Sequence, residues 1–110
     1  MKAIQLIKYG DAHTAFQTNE VPIPQLKSSD SVLIKVQAFG INFADLMARK
    51  GLYRAAPNLP AILGYEVVGT VERVNSKFNE NLIGKRVLAM TRFCLLYTSD
   101  AADDTNRGCL

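Results

Sequence analysis

Three side chains with useful chemistry lie within one short stretch. GINFADLMARKGLY runs from Gly40 to Tyr53. It sets an amide, Asn42, three positions before a carboxylate, Asp45, and ends on a phenol, Tyr53. An amide both donates and accepts hydrogen bonds, so Asn42 can grip a hydroxyl or another amide. A phenol can hydrogen-bond a substrate oxygen and hand it a proton. The neighbours are mostly apolar, and a polar group buried among them is costly unless it is paired. Asn42 also has a purely local use as a helix N-cap, accepting from the backbone N–H of Ala44 or Asp45. Asp45 would then stand in the first turn, at the positive end of the helix dipole, four residues before a possible partner in Arg49. Tyr53 has its own structural alternative, an aromatic ring packed on the edge of a sheet.

Other reactive residues are sparse. Tyr65 and Glu66 adjoin in PAILGYEVVGTVERV, where a hydrogen-bonding structural role suits Glu66 best. His13 is the single histidine, and a lone histidine is more often a surface or structural residue than a ligand. Both cysteines, Cys94 and Cys109, fall near the C-terminus, so residues 1–93 offer no disulfide and no thiolate for a metal. The glycines are Gly10, Gly40, Gly51, Gly64, Gly69, Gly84 and Gly108; no two are spaced G-x-G, so the phosphate-cradling fingerprint of a dinucleotide site is absent.

The elements that must position these residues are mostly strands. Met1 to Lys8 alternates loosely and reads as a strand, followed by a Gly10-Asp11 turn. Ala15 to Val21 reads as a second strand, ended by Pro22 and Pro24. Val32 to Phe39 alternates most clearly, with Val32, Ile34, Val36 and Ala38 on one face and Lys35 and Gln37 on the other. Ile41 to Lys50 is rich in helix formers and stops at Gly51. Pro57 and Pro60 mark an extended link. Glu66 to Val74 and Lys85 to Met90 read as further strands, with a polar turn over Ser76 to Asn81. Gly69, inside a strand, predicts a close backbone approach or a bulge. Several short strands, one short helix and many turns predict a small, mainly β, mostly antiparallel barrel.

The chain has 110 residues, enough for one domain, and a net charge of +3. Its Lys and Arg are scattered, without a basic tract or interleaved aromatics, which argues against nucleic-acid binding. No apolar run approaches the ~20 residues of a membrane span, and the N-terminus is too short and broken for a secretory signal, so a cytoplasmic protein is expected. The end of the chain differs from the rest. Cys94 to Asp103, CLLYTSDAAD, back-translates with allowed codons into the transposase end and adapter sequence used in sequencing libraries. Residues 94–110 are therefore expected to be a non-native, adapter-derived tail, with the natural reading frame cut at about Phe93 and little packing of the tail on the body.

GINFAD…GLY, followed by PAILGYEVVGTVERV and GKRVLAM, resembles the N-terminal domain of the medium-chain dehydrogenase/reductase superfamily. Within it the pattern is most similar to the zinc-free quinone oxidoreductases, and among those to the vesicle amine transport protein 1 branch. The resemblance covers nearly all of residues 1–93. It implies a GroES-like, partly open β-barrel with one short helix, truncated here, from an enzyme whose second, Rossmann domain binds NADPH. It implies hydride transfer to a quinone or an α,β-unsaturated carbonyl, in a parent for which a homodimer is conceivable. It places Asn42 at the nicotinamide end of the cofactor and Tyr53 on the substrate pocket as the candidate catalytic group. It implies no metal site. The zinc alcohol dehydrogenases of the superfamily have a cysteine where Asn42 stands and a histidine where Tyr65 stands, and neither replacement is a good zinc ligand. One departure is Met47, where many quinone oxidoreductases carry another tyrosine; a flexible apolar wall replaces a hydroxyl there. By this reading the chain alone binds no NADPH and is inactive. Two alternatives remain: a zinc-type alcohol dehydrogenase domain, or a non-enzymatic co-chaperonin-like barrel.

Overall fold

The computed structural model describes residues 1–90 and Arg107–Cys109. Most of the expected tail lies outside the described residues. Among the described residues, six strands form two antiparallel sheets. β1 (Lys2–Leu6) and β2 (Phe16–Glu20) make a two-stranded ribbon. β3 (Val32–Phe39), β4 (Glu66–Val74), β5 (Arg86–Met90) and β6 (Arg107–Cys109) make a four-stranded sheet in the order β5-β4-β3-β6. Leu6 of β1 also bridges to Ala61, in the segment before β4, and their backbone groups exchange hydrogen bonds of 2.8 and 2.9 Å. Among the described residues the two sheets do not close into a barrel, which agrees with a truncated, partly open β-fold.

Two short helices complete the described chain. α1 (Ala12–Ala15) follows the turn at Gly10, with Asp11 as N-cap accepting from the His13 N–H at 2.9 Å. α2 (Phe43–Arg49) follows β3 directly, with Asn42 in the N-cap position. Gly51 has φ +73°, which suits a residue without a Cβ, and its N–H bonds to the Ala48 carbonyl just beyond the helix end. Lys77–Leu82 forms a 3₁₀ turn where only a polar loop was expected.

The inward face expected for β3 holds at Val32, Ile34 and Val36, although Leu33 between them is buried as well. After Val36 the pattern breaks: Ala38 is exposed and Phe39 turns inward instead. The register slips between Val36, opposite Gly69, and Ala38, opposite Val68. Gln37 is thus the extra residue of a β-bulge, and one extra residue exchanges the two faces of everything after it. Gly69 lies at this point. A Cβ built there would run into the Lys35 carbonyl and stand 2.6 Å from Ile34 Cγ2, so the close backbone approach expected from a glycine inside a strand is present.

The bulge has a consequence for packing. Phe39 touches both apolar clusters of the molecule. One is the sheet core of Val32, Ile34, Val36, Val67, Val71 and Ala89. The other gathers Leu6, Ala15, Ala48, Ala61 and Leu63 between the ribbon, α2 and the segment before β4. Phe39 therefore ties α2 to the sheet from which it departs. Arg107–Cys109 pairs with Lys35, Ile34 and Leu33 on the far edge of β3, so these three residues are an exception to the expectation that the tail leaves the fold alone.

Candidate functional site

The site is built where β3 ends and α2 begins. Asn42 is extended (φ −102°, ψ 163°) and half-buried at the head of α2. The helix start is a capping box shared by Asn42 and Asp45. The Asp45 Oδ2 accepts from the Asn42 N–H at 2.9 Å. The Asp45 N–H in turn faces the Asn42 side chain and also bonds to the Asn42 backbone carbonyl at 3.0 Å. The expected cap by Asn42 is thus present as one half of the box, and it uses the side-chain oxygen only as an acceptor.

Asp45 is only 3% exposed, and its second oxygen reaches across the fold. Oδ1 accepts from the Gly64 N–H at 3.1 Å. A buried carboxylate needs such donors, because an unpaired buried charge is expensive. Gly64 adopts φ +110°, a conformation that side chains with a Cβ rarely take. The expected ion pair with Arg49 is not the one formed. Arg49 turns to the loop after β1, where its guanidinium donates to the Gly10 carbonyl and its own carbonyl accepts from the Gly10 N–H at 3.0 Å. The reason is the second acceptor task of Asp45, which holds its carboxylate inward toward Gly64.

Gly64 leads into Tyr65 and Glu66 at the start of β4. The Tyr65 ring meets the Tyr53 ring edge to face, with centroids 6.5 Å apart and planes at 76°. Tyr53 is half-buried and packs on the second apolar cluster, so the packing role weighed for it is real. Glu66 sends its carboxylate over Gly40, where an added Cβ would collide with Oε1. His13 is exposed on α1, apart from these groups. Among the described residues, no three His, Cys, Asp or Glu side chains converge as a metal cluster would.

Beside α2 lies an apolar hollow of about 420 Å³, lined by Ile4, Phe16, Phe39, Ile41 and Leu46 with Asp45 and Arg49 at its polar margin. Ile41 and Phe43, the residues on either side of Asn42, are 70% and 72% exposed. Sequence reasoning singled out Asn42, Asp45 and Tyr53. It missed that Asp45 ties Asn42 to Gly64, because the two amides lie far apart in the chain and no short-range pattern links them.

Comparison with known proteins gives this geometry a context. The model of the alcohol dehydrogenase GroES-like domain matches residues 28–109. The synaptic vesicle membrane protein VAT-1 homolog of Danio rerio is 42% identical over 69 residues, covering 63% of this chain and 14% of that protein. The quinone oxidoreductase of Sus scrofa is 35% identical over 107 residues, 96% of this chain and 32% of that protein. The crystal structure of Escherichia coli quinone oxidoreductase complexed with NADPH superposes with a TM-score of 0.72 and 32% sequence identity, over 84% of this chain and 28% of that one. The chain thus spans a third or less of the length of these relatives. It belongs to the alcohol dehydrogenase GroES-like domain family.

Proposed function

We propose that the chain is the N-terminal, substrate-side part of a zinc-independent, NADPH-dependent oxidoreductase of the medium-chain dehydrogenase/reductase superfamily, acting on a quinone or an α,β-unsaturated carbonyl. The observation that carries this reading is the Asn42 amide. It stands half-buried between β3 and α2, with apolar residues exposed on both sides. The capping box draws on its oxygen only as an acceptor, so the NH₂ group and the second lone pair of the oxygen suit a ribose hydroxyl or a carboxamide, each of which both donates and accepts. Relatives named as quinone oxidoreductases, one of them in complex with NADPH, point the same way.

The residues fit the nicotinamide end of the cofactor and not its phosphate end, since the chain has no G-x-G turn. When bound, NADPH supplies the hydride. Asn42 would hold the carboxamide or ribose and fix the face from which reduction occurs. Tyr53, with its ring braced by Tyr65, would hydrogen-bond the substrate oxygen and deliver the proton that balances the hydride. Met47, half-buried on α2, would give the pocket an apolar wall. Asn42 and Tyr65 in place of thiolate and imidazole leave zinc without its expected ligands. In this reading the chain alone is inactive, the whole protein is cytoplasmic, and its partners are small molecules, with a homodimer open.

The test is to express the uninterrupted parent and assay NADPH-dependent reduction of a quinone and an enone, with and without a chelator. Turnover that ignores the chelator supports the proposal. Loss of activity on chelation and its return with zinc would overturn the metal-free part. Absence of any turnover with NADPH bound would overturn the assignment of reaction.

A further inference from the structure

Resting on that functional reading, we infer that Asp45 is a positioning residue that holds Asn42 and the Tyr53–Tyr65 pair in one fixed arrangement. A single carboxylate, 3% exposed, accepts from two backbone amides at once: Asn42 at 2.9 Å through Oδ2 and Gly64 at 3.1 Å through Oδ1. The first amide belongs to the residue whose side chain would meet the nicotinamide. The second belongs to the residue just before Tyr65, whose ring meets Tyr53 at 6.5 Å. The carboxylate is thus bonded both to the start of α2 and to the approach of β4.

A helix cap alone does not account for this geometry. Capping requires only the bond to the Asn42 N–H, which a carboxylate at an exposed helix start can make. Here the carboxylate is buried, and burial of a charge is costly unless each oxygen finds a donor. The second bond meets that requirement and fixes the spacing of the two segments. Gly64 suits the task, because φ +110° is rare for a residue with a Cβ. The pairing of β3 with β4 runs up to Phe39 opposite Val67, the strand ends that lead to Asn42 and from Gly64. Asp45 closes the loop from the other side. Its carboxylate makes no contact with the reacting atoms in this account; it acts through the residues it holds.

The experiment uses the full-length parent. Asp45→Asn keeps the size and one acceptor oxygen and replaces the other with an N–H₂ group, which cannot accept from an amide. Misplacing a site by a fraction of an ångström to an ångström can cost up to about a hundredfold in rate. The expected result is a fall in kcat of about tenfold or more, with affinity for 2′,5′-ADP unchanged and hydrogen exchange faster at whichever of the Asn42 and Gly64 amides loses its acceptor oxygen. A merely structural role would lower the melting temperature and leave kcat per folded molecule and KM at their original values, which would overturn the inference. In the unaltered parent the two amides should show equal protection, since one carboxylate releases both; unrelated rates would overturn the inference without any variant, and this arm decides it should Asp45→Asn not fold. If the unaltered parent reduces no quinone or enone, the functional reading falls, and the exchange arm together with the affinity of NADPH relative to 2′,5′-ADP in Asp45→Asn still decides whether Asp45 positions the nicotinamide end.

Discussion

Gly69→Ala tests the contact that sets the shape of β3. In the structure a Cβ at Gly69 would stand 2.6 Å from Ile34 Cγ2 and 3.0 Å from the Lys35 carbonyl carbon, and would overlap the Lys35 carbonyl oxygen. Two of these are backbone atoms of a strand hydrogen-bonded to β4, so they cannot swing aside as the end of a lysine could. Overpacking of this kind costs about 1–3 kcal/mol. Against that, alanine lowers the entropy of the unfolded chain and improves strand formation, recovering about 0.5–1 kcal/mol. The net expectation is a loss of about 1–2 kcal/mol. At roughly 4–8 °C per kcal/mol for a domain near this size, the midpoint should fall by about 4–16 °C. Urea denaturation followed by circular dichroism, with thermal melts alongside, measures it. A variant as stable as the original chain, or more so, would show that β3 and β4 do not approach as closely as described, and would remove the basis for the bulge at Gln37.

Two further substitutions probe the packing around the site and the open sheet. Leu63→Ala empties a fully buried position in the cluster beneath α2 and should cost about 2–5 kcal/mol, read as a shift in the denaturation midpoint. Leu88→Lys with Met90→Lys places charge on β5 side chains that are 73% and 79% exposed; light scattering should show less association and the melting temperature should hardly move.

Strand positions were legible wherever side chains alternate about a buried face. Val32–Phe39 and Glu66–Val74 occupy the span that their alternation predicts. The face assignment failed at Ala38 because a bulge depends on what lies opposite, here Gly69, and not on the strand's own sequence. α1 is four residues long and is held by the Asp11 side chain, too short for a helical period to emerge, so Ala15 reads as the start of a strand. At the site, the residue types in GINFADLMARKGLY indicated a helix start with an available amide and a nearby phenol. The division of labour between them was not legible. Local rules anticipate the cap at Asn42, and what they cannot show is that Gly64, distant in sequence, arrives to share the Asp45 carboxylate. The same competition removes Asp45 from Arg49, an i,i+4 pair that helix geometry alone would favour.

The account stands on Asn42 meeting the nicotinamide end of a cofactor, and Asn42→Ala in the full-length parent measures that most directly. Losing the amide removes one or two hydrogen bonds, a cost of roughly 1–3 kcal/mol where the partner is left unsatisfied. At about 1.4 kcal/mol per decade this is about a fivefold to hundredfold drop in kcat/KM with NADPH. Affinity for 2′,5′-ADP, which lacks the nicotinamide, should stay the same, while stability should fall by no more than the loss of one N-cap contact, about 0.5–2 kcal/mol. An Asn42→Ala enzyme with full activity and a lowered melting temperature would contradict the account and make Asn42 a helix cap alone.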